Sequence, residues 1–202
     1  EYLALSQELR KRLDTIRVLQ DRGRVHPLAA GLLEEALDGL QVKTDRAWQA
    51  QLQRLTEAQD LVPVVPSTLQ AELRDYQVEG FRWLGRLAHW GAGACLADDM
   101  GLGKTIQLID LLLQLKHQDQ TAKATKQQRR TLLIAPASLL GNWREELARF
   151  APQLRVQMTH RSECTTDRLA QVAKNPATEL ADCDLVVTTY SLARREKWLT
   201  TI

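Results

Sequence analysis

Apolar residues follow two rhythms along the chain. Up to about residue 60 they recur every three or four positions, as on one face of a helix: Leu5, Leu9, Leu13 and Ile16, then Leu33, Ala36, Leu37 and Leu40, then Trp48, Leu52 and Leu55. Gly23 and His26-Pro27 break the first stripe, and Thr44 or Asp45 is placed to cap the third helix. From residue 94 short apolar runs alternate with longer amphipathic stretches. Ala94–Ala97, Thr131–Ala135, the period-2 set Leu154, Val156 and Met158, and Asp184–Thr189 are expected strands. Ile106–Leu115, Ser138–Phe150, Asp167–Ala173 and a last segment after Tyr190-Ser191 are expected helices. Between the two regions, Val62-Pro63-Val64-Val65-Pro66 cannot continue a helix, because each proline lacks an amide hydrogen and restricts its predecessor.

The pattern therefore predicts a helical extension over residues 1–62 and an α/β domain over 67–202. Ser67 or Thr68 should open a helix with Leu69 and Leu73, and Tyr76, Gly80, Trp83 and Leu84 share a helical stripe whose aromatics should face the core. Strand–helix alternation implies a mostly parallel sheet with helices on both faces. Ligands of such sheets sit at the carboxyl ends of the strands, which puts the turns after Ala97, Ala135 and Thr189 on one rim, with Ile134 fully buried behind it. The polar stretch from Lys116 to Arg130 reads as a surface loop. Its Lys123, Lys126, Arg129 and Arg130 are a solvated face in preference to a polyanion site. The N-terminal helices either pack on the main domain, the favoured reading, or form a docking surface.

Composition narrows this little. A chain of 202 residues with 44% apolar content can bury the core of one domain with a small appendage. A net charge of +2 does not by itself mark a nucleic-acid binder. Cys95, Cys164 and Cys183 have no metal-like spacing and read as reduced thiols, with Cys95 in the core. No apolar run approaches the length of a membrane span and no leader pattern is visible. The chain starts without Met and stops in mid-pattern at Leu199-Thr200-Thr201-Ile202, so a piece of a longer protein is expected.

The chemistry concentrates in Asp98-Asp99-Met100-Gly101-Leu102-Gly103-Lys104-Thr105-Ile106. An apolar run, a glycine turn and a helix start make an anion site, since unpaired amides at the helix start point at the ligand and the helix dipole adds positive potential. Gly101 and Gly103 let the backbone approach phosphate closely, Lys104 can reach the β/γ-phosphates, and the Thr105 hydroxyl can bind Mg²⁺. Asp98 stands where the full phosphate-loop pattern has glycine. Gln77 carries an amide with both a donor and an acceptor, which matches the edge of adenine; its other reading is a solvated helix residue.

Four segments, in order, resemble the Swi/Snf-type branch of the superfamily-two helicase-like ATPases. They are Leu73-Arg74-Asp75-Tyr76-Gln77 with Gly80 and Trp83-Leu84; Asp98 to Gln107; Ala135-Pro136-Ala137-Ser138-Leu139-Leu140-Gly141-Asn142-Trp143; and Val186-Val187-Thr188-Thr189-Tyr190. In that family an aspartate at the position of Asp98 is ordinary. The resemblance implies a RecA-like lobe of an ATP-driven motor on double-stranded DNA. Lys104 and Thr105 would serve phosphate and Mg²⁺, and Arg74 and Gln77 would lie at the adenine. Pro136, Ser138, Asn142, Thr188, Thr189 and Tyr190 would lie along the DNA backbone. Trp143 is favoured as a core residue, and Ser138 is as well explained by a helix cap. The acidic motif that holds Mg²⁺ and the second lobe with its arginines would follow residue 202. These 202 residues are therefore expected to bind ATP without turning it over. Action in the cytoplasm at a bacterial nucleoid, or in a eukaryotic nucleus, would follow. The alternatives are a nucleotide-responsive protein-interaction module and a small-molecule phosphotransferase with the same loop.

Overall fold

The computed structural model describes residues 6–21, 24–25, 29–39, 43–121 and 130–198. The chain divides into two units, residues 1–63 with 84–95 and residues 64–83 with 96–202. Among the described residues, no helix is long and apolar enough to cross a membrane.

The first unit is helical. α1 (Gln7–Leu19) starts on a Ser6 cap, α2 (Ala30–Leu37) packs on it, and α3 (Arg46–Asp60) packs on α2. Asp45 caps α3, its Oδ1 accepting from the Trp48 amide at 2.7 Å, as an N-cap aspartate should. Two residue pairs, β1 (Gln20–Asp21) and β2 (Arg24–Val25), form a small antiparallel ladder where only a helix break was expected. Leu5, His26-Pro27 and Leu40 lie outside the described residues.

α4 (Asp75–Trp90) begins in the second unit and ends in the first. It does not start at Ser67 or Thr68: those residues form a turn, and 69–74 run without regular structure. The Gln70 amide donates instead to the carbonyl of Phe150, so the segment is fastened to a neighbouring helix end and Leu69 is pulled into the core. Tyr76 and Trp83 are 40% and 41% exposed, against expectation; the buried aromatic of α4 is Phe81.

The second unit holds α5 (Lys104–Thr121), β3 (Thr131–Ile134), a 3-10 turn at Ala137–Leu139, α6 (Leu140–Phe150), β4 (Val156–Met158), α7 (Thr166–Lys174), the short α8 (Pro176–Glu179), β5 (Leu185–Thr188) and α9 (Tyr190–Arg195). The strands are parallel in the order β3-β5-β4, with Ile134 opposite Thr188 and Met158 opposite Val187. Central β5 is buried on both sides. Leu185 and Val187 join Ile109, Leu112 and Leu113 of α5 and Leu140 and Leu147 of α6 in one cluster. Val186, which points the other way along the pleat, packs with Val172 of α7, Leu180 and Cys183. Helices thus cover both faces, as strand–helix alternation requires. Trp143 packs against the larger cluster, as favoured from the sequence.

Several expectations fail for one physical reason: burial depends on neighbours that a local pattern cannot show. Residues 92–99 form no strand, and Ala94, Cys95 and Ala97 are exposed. The outer edge of β3 pairs with nothing among the described residues, so Ile134 is 37% exposed rather than buried. α5 runs past Leu115 to Thr121 because Lys116 is anchored rather than solvated. Its ammonium donates to Asp184 Oδ2 at 2.7 Å and to the carbonyl of Gln153 at 2.6 Å. Burial pushes the Asp184 carboxyl up, but hydrogen bonds from Arg155 and Lys116 outweigh it and hold the group below the usual carboxylate range. Lys123, Lys126 and Arg129 lie outside the described residues.

Asp110, on the inner side of α5, is fully buried, and neither carboxylate oxygen has a partner among the described residues. Desolvation lifts its pKa to about 7. An acid whose folded pKa is raised binds more protons in the native than in the unfolded state between the two pKa values, so stability falls as pH rises from about 4 to about 7. Asp110→Asn keeps the shape of the protonated group and cannot ionise. It should raise the melting temperature at pH 8 by about 4–8 °C and by much less at pH 5. Thermal melts of both proteins at the two pH values test this; an equal difference at both would show that the native Asp110 carboxyl titrates as it does in the unfolded chain.

Candidate functional site

The loop from Asp98 to Gly103 has no regular structure, and α4 and α5 place it. Gly101 and Gly103 take φ of +85° and +75°, the left-handed region that a side chain disfavours. Around Gly101 a Cβ would meet nothing within 4 Å, so the turn is open on that side. Lys104 is the first residue of α5, and its ammonium folds back over the loop to the carbonyls of Asp98 at 2.6 Å and Asp99 at 2.8 Å. Thr105 follows at half-burial, Ile106 packs on the core, and Met100 stands 96% exposed at the tip. Free amides at a helix start, an ammonium and a hydroxyl are the donor set a polyphosphate with a divalent cation needs, and the residues fit such a ligand.

Gln77 is 9% exposed, so the solvated reading fails. Its Oε1 accepts from the Arg74 amide at 3.0 Å, which is half of a capping box: the third helical residue reaches back to the amide before the helix. Its Nε2 donates to the Leu102 carbonyl at 3.1 Å, and the Tyr76 hydroxyl donates to the same oxygen at 3.3 Å. The first turn of α4 is therefore tied to the glycine loop. Arg74 itself is exposed beside it.

Because the strands are parallel, the loops after β3, β4 and β5 leave one rim. Pro136, Ser138, Asn142 and Tyr190 are exposed there. Ser138 is not a cap, since Leu139 holds the position before α6 and no side chain bonds to that helix start. Thr188 and Thr189 are not open: Thr188 is 0% and Thr189 4% exposed. Thr189 caps α9 by accepting from the Leu192 amide. The pleat turns Thr188 inward, and its Oγ1 is buried with no partner among the described residues. A DNA phosphate cannot reach either hydroxyl without movement of the loop. The run 94–97, expected on this rim as a strand, is outside the sheet, and the loop after β4 lies there instead. That loop was missed because nothing in its sequence stands out. Its Thr159 hydroxyl donates to the Val187 carbonyl at 3.0 Å, and with Arg161, Ser191, Leu192 and Arg195 it lines a cleft of about 400 Å³.

The sequence profile of the SNF2-related domain matches residues 76–201. The chain belongs to this family. It is 36% identical over 162 residues to YwqA of Bacillus subtilis, described as a candidate ATP-dependent helicase/translocase, covering 80% of the chain and 16% of that protein. It is 41% identical over 139 residues to the chromatin-remodeling ATPase INO80 of Cryptococcus neoformans, covering 66% of the chain and 8% of that protein. Among solved structures, the Sulfolobus solfataricus SWI2/SNF2 ATPase core in complex with dsDNA superposes with a TM-score of 0.55 at 35% identity, over 70% of this chain and 26% of that one. The chain thus spans a small part of the length of its relatives. The RecA-like α/β expectation holds.

Thr188 gives a test of the rim. If its hydroxyl is only a buried orphan, replacing it by a methyl of the same shape removes an unpaired polar atom without leaving a cavity. Thr188→Val should leave stability unchanged or raise it by about 1 kcal/mol in urea denaturation. A loss of more than about 1 kcal/mol would show that the hydroxyl is hydrogen-bonded in solution.

Proposed function

We propose that residues 67–202 form the ATP-binding first lobe of a motor that couples ATP hydrolysis to movement on duplex DNA, or to remodelling of protein–DNA complexes, with residues 1–62 as its helical extension. The observation that carries the reading is the glycine loop itself: it is strapped to α4 by Gln77, and Lys104 and the start of α5 are presented to one open side. Gly101, Leu102 and Gly103 would give amides to the phosphates. Lys104 would leave the carbonyls of Asp98 and Asp99 for phosphate oxygens, and Thr105 would hold Mg²⁺. Bound Mg²⁺ supplies charge neutralisation for the β- and γ-phosphates. Gln77, with Arg74 beside it, would meet the adenine edge. A second lobe of the same protein would supply the remaining cations.

Pro136, Ser138, Asn142 and Tyr190 would touch the DNA backbone, and Thr189 would act through the shape of the Tyr190 loop it caps. Such contacts carry no base sequence, so binding should be salt-sensitive and sequence-independent. The solved relative bound to duplex DNA supports this path. Such a motor would work at a bacterial nucleoid or in a nucleus.

The test is ATP turnover by the full-length protein with and without linear duplex DNA. Turnover should rise about tenfold or more with DNA of any sequence, and Lys104→Ala should lower it by at least about 100-fold while the melting temperature holds. Turnover indifferent to DNA, or retained by the Lys104 variant, would overturn the reading.

A further inference from the structure

Gln107 lies one turn beyond Lys104 on α5 and is completely buried. Its Nε2 donates to Asp98 Oδ2 at 3.2 Å, at the start of the phosphate loop. Its Oε1 has no hydrogen-bond partner among the described residues. That oxygen sits 1.9 Å from where a Cβ on Gly80 would stand, a place glycine fills with a hydrogen. Gly80 is on α4, one turn beyond Gln77. The contact has a counterpart. Gln77 Nε2, on α4, stands 2.4 Å from where a Cβ on Gly103 of the loop would be. Each element therefore offers a glycine that seats the other's glutamine. Gln77 is seated in the loop ahead of α5, and Gln107 is seated in α4.

We propose that Gln107 is a positioning residue for nucleotide: it sets the distance between the adenine end of the site on α4 and the phosphate end on the loop without touching nucleotide itself. Stability alone does not account for it. A buried amide with an unpaired oxygen is unfavourable, and a leucine of similar volume would fill the space without that cost. What leucine cannot do is hold Asp98. The Asp98 carbonyl is one of the two that receive Lys104, so the amide of Gln107 acts on Lys104 through a single residue. Gly80 sets how closely α4 approaches, since any side chain there collides with Gln107. Nucleotide spans both ends, and an error in their separation weakens its binding even when each end is intact.

The inference rests on the nucleotide reading of the loop, and affinity measurements on the full-length protein separate the two. Titration with a fluorescent ATP analogue, competed with ATP and GTP, is run for wild type, Lys104→Ala, Gln107→Leu, Gln107→Ala, Gly80→Ala and the Gly80→Ala/Gln107→Ala pair, with a melting curve for each. Gln107→Leu should bind ATP about tenfold more weakly, with a narrowed preference for ATP over GTP and a melting temperature equal to or above wild type. Gly80→Ala should weaken binding in the wild-type background and have little further effect once Gln107 is alanine, because the colliding atoms are gone. Wild-type affinity in Gln107→Leu, or an equal effect of Gly80→Ala in both backgrounds, overturns the positioning role and leaves the nucleotide site standing. Wild-type protein that binds no ATP, or Lys104→Ala that binds it unchanged, overturns the site and the inference together.

Discussion

A loop without regular structure cannot place itself, and among the described residues the side chains that hold the glycine loop lie on two helices. The Leu102 carbonyl is held by Tyr76 and Gln77, the carbonyls of Asp98 and Asp99 by Lys104, and the Asp98 carboxylate by Gln107. The loop is thus as well placed as α4 and α5 are. α5 is set by apolar contact of Ile109, Leu112 and Leu113 with the buried strand β5, and at its far end by the ion pair of Lys116 with Asp184 just ahead of that strand. One helix thus carries the positional information of the sheet to the glycine loop.

The rim follows from the same sheet. Three parallel strands in register send their loops to one side, so exposed Pro136, Ser138, Asn142 and Tyr190 share an edge although they lie far apart in sequence. Thr189 serves that edge as a cap and Thr188 as filling.

What was legible in the sequence was what a short window determines. The glycine turn, the Asp45 cap, strands β3 to β5 and helices α6 and α7 rest on spacing and turn chemistry over a few residues. Burial was less legible. Ile134, Ala94, Cys95 and Ala97 look like core and are exposed, because their burial needs a paired neighbour that spacing cannot reveal. Tyr76 and Trp83 share a stripe with buried positions yet lie on its open border. The packing of Gln77 and Gln107 was hidden for the opposite reason. Each is defined by a glycine on another element, at a distance that only the fold creates.

If nucleotide orders the loop and α4 as one unit, amide hydrogen exchange should show it. The direct measurement is exchange of the full-length protein with and without saturating ATP and Mg²⁺, resolved over residues 74–83 and 98–110. Slowing of exchange in both segments, with the same dependence on ATP concentration, is the expected result. Protection confined to the loop, with the start of α4 exchanging as it does without nucleotide, would contradict the account.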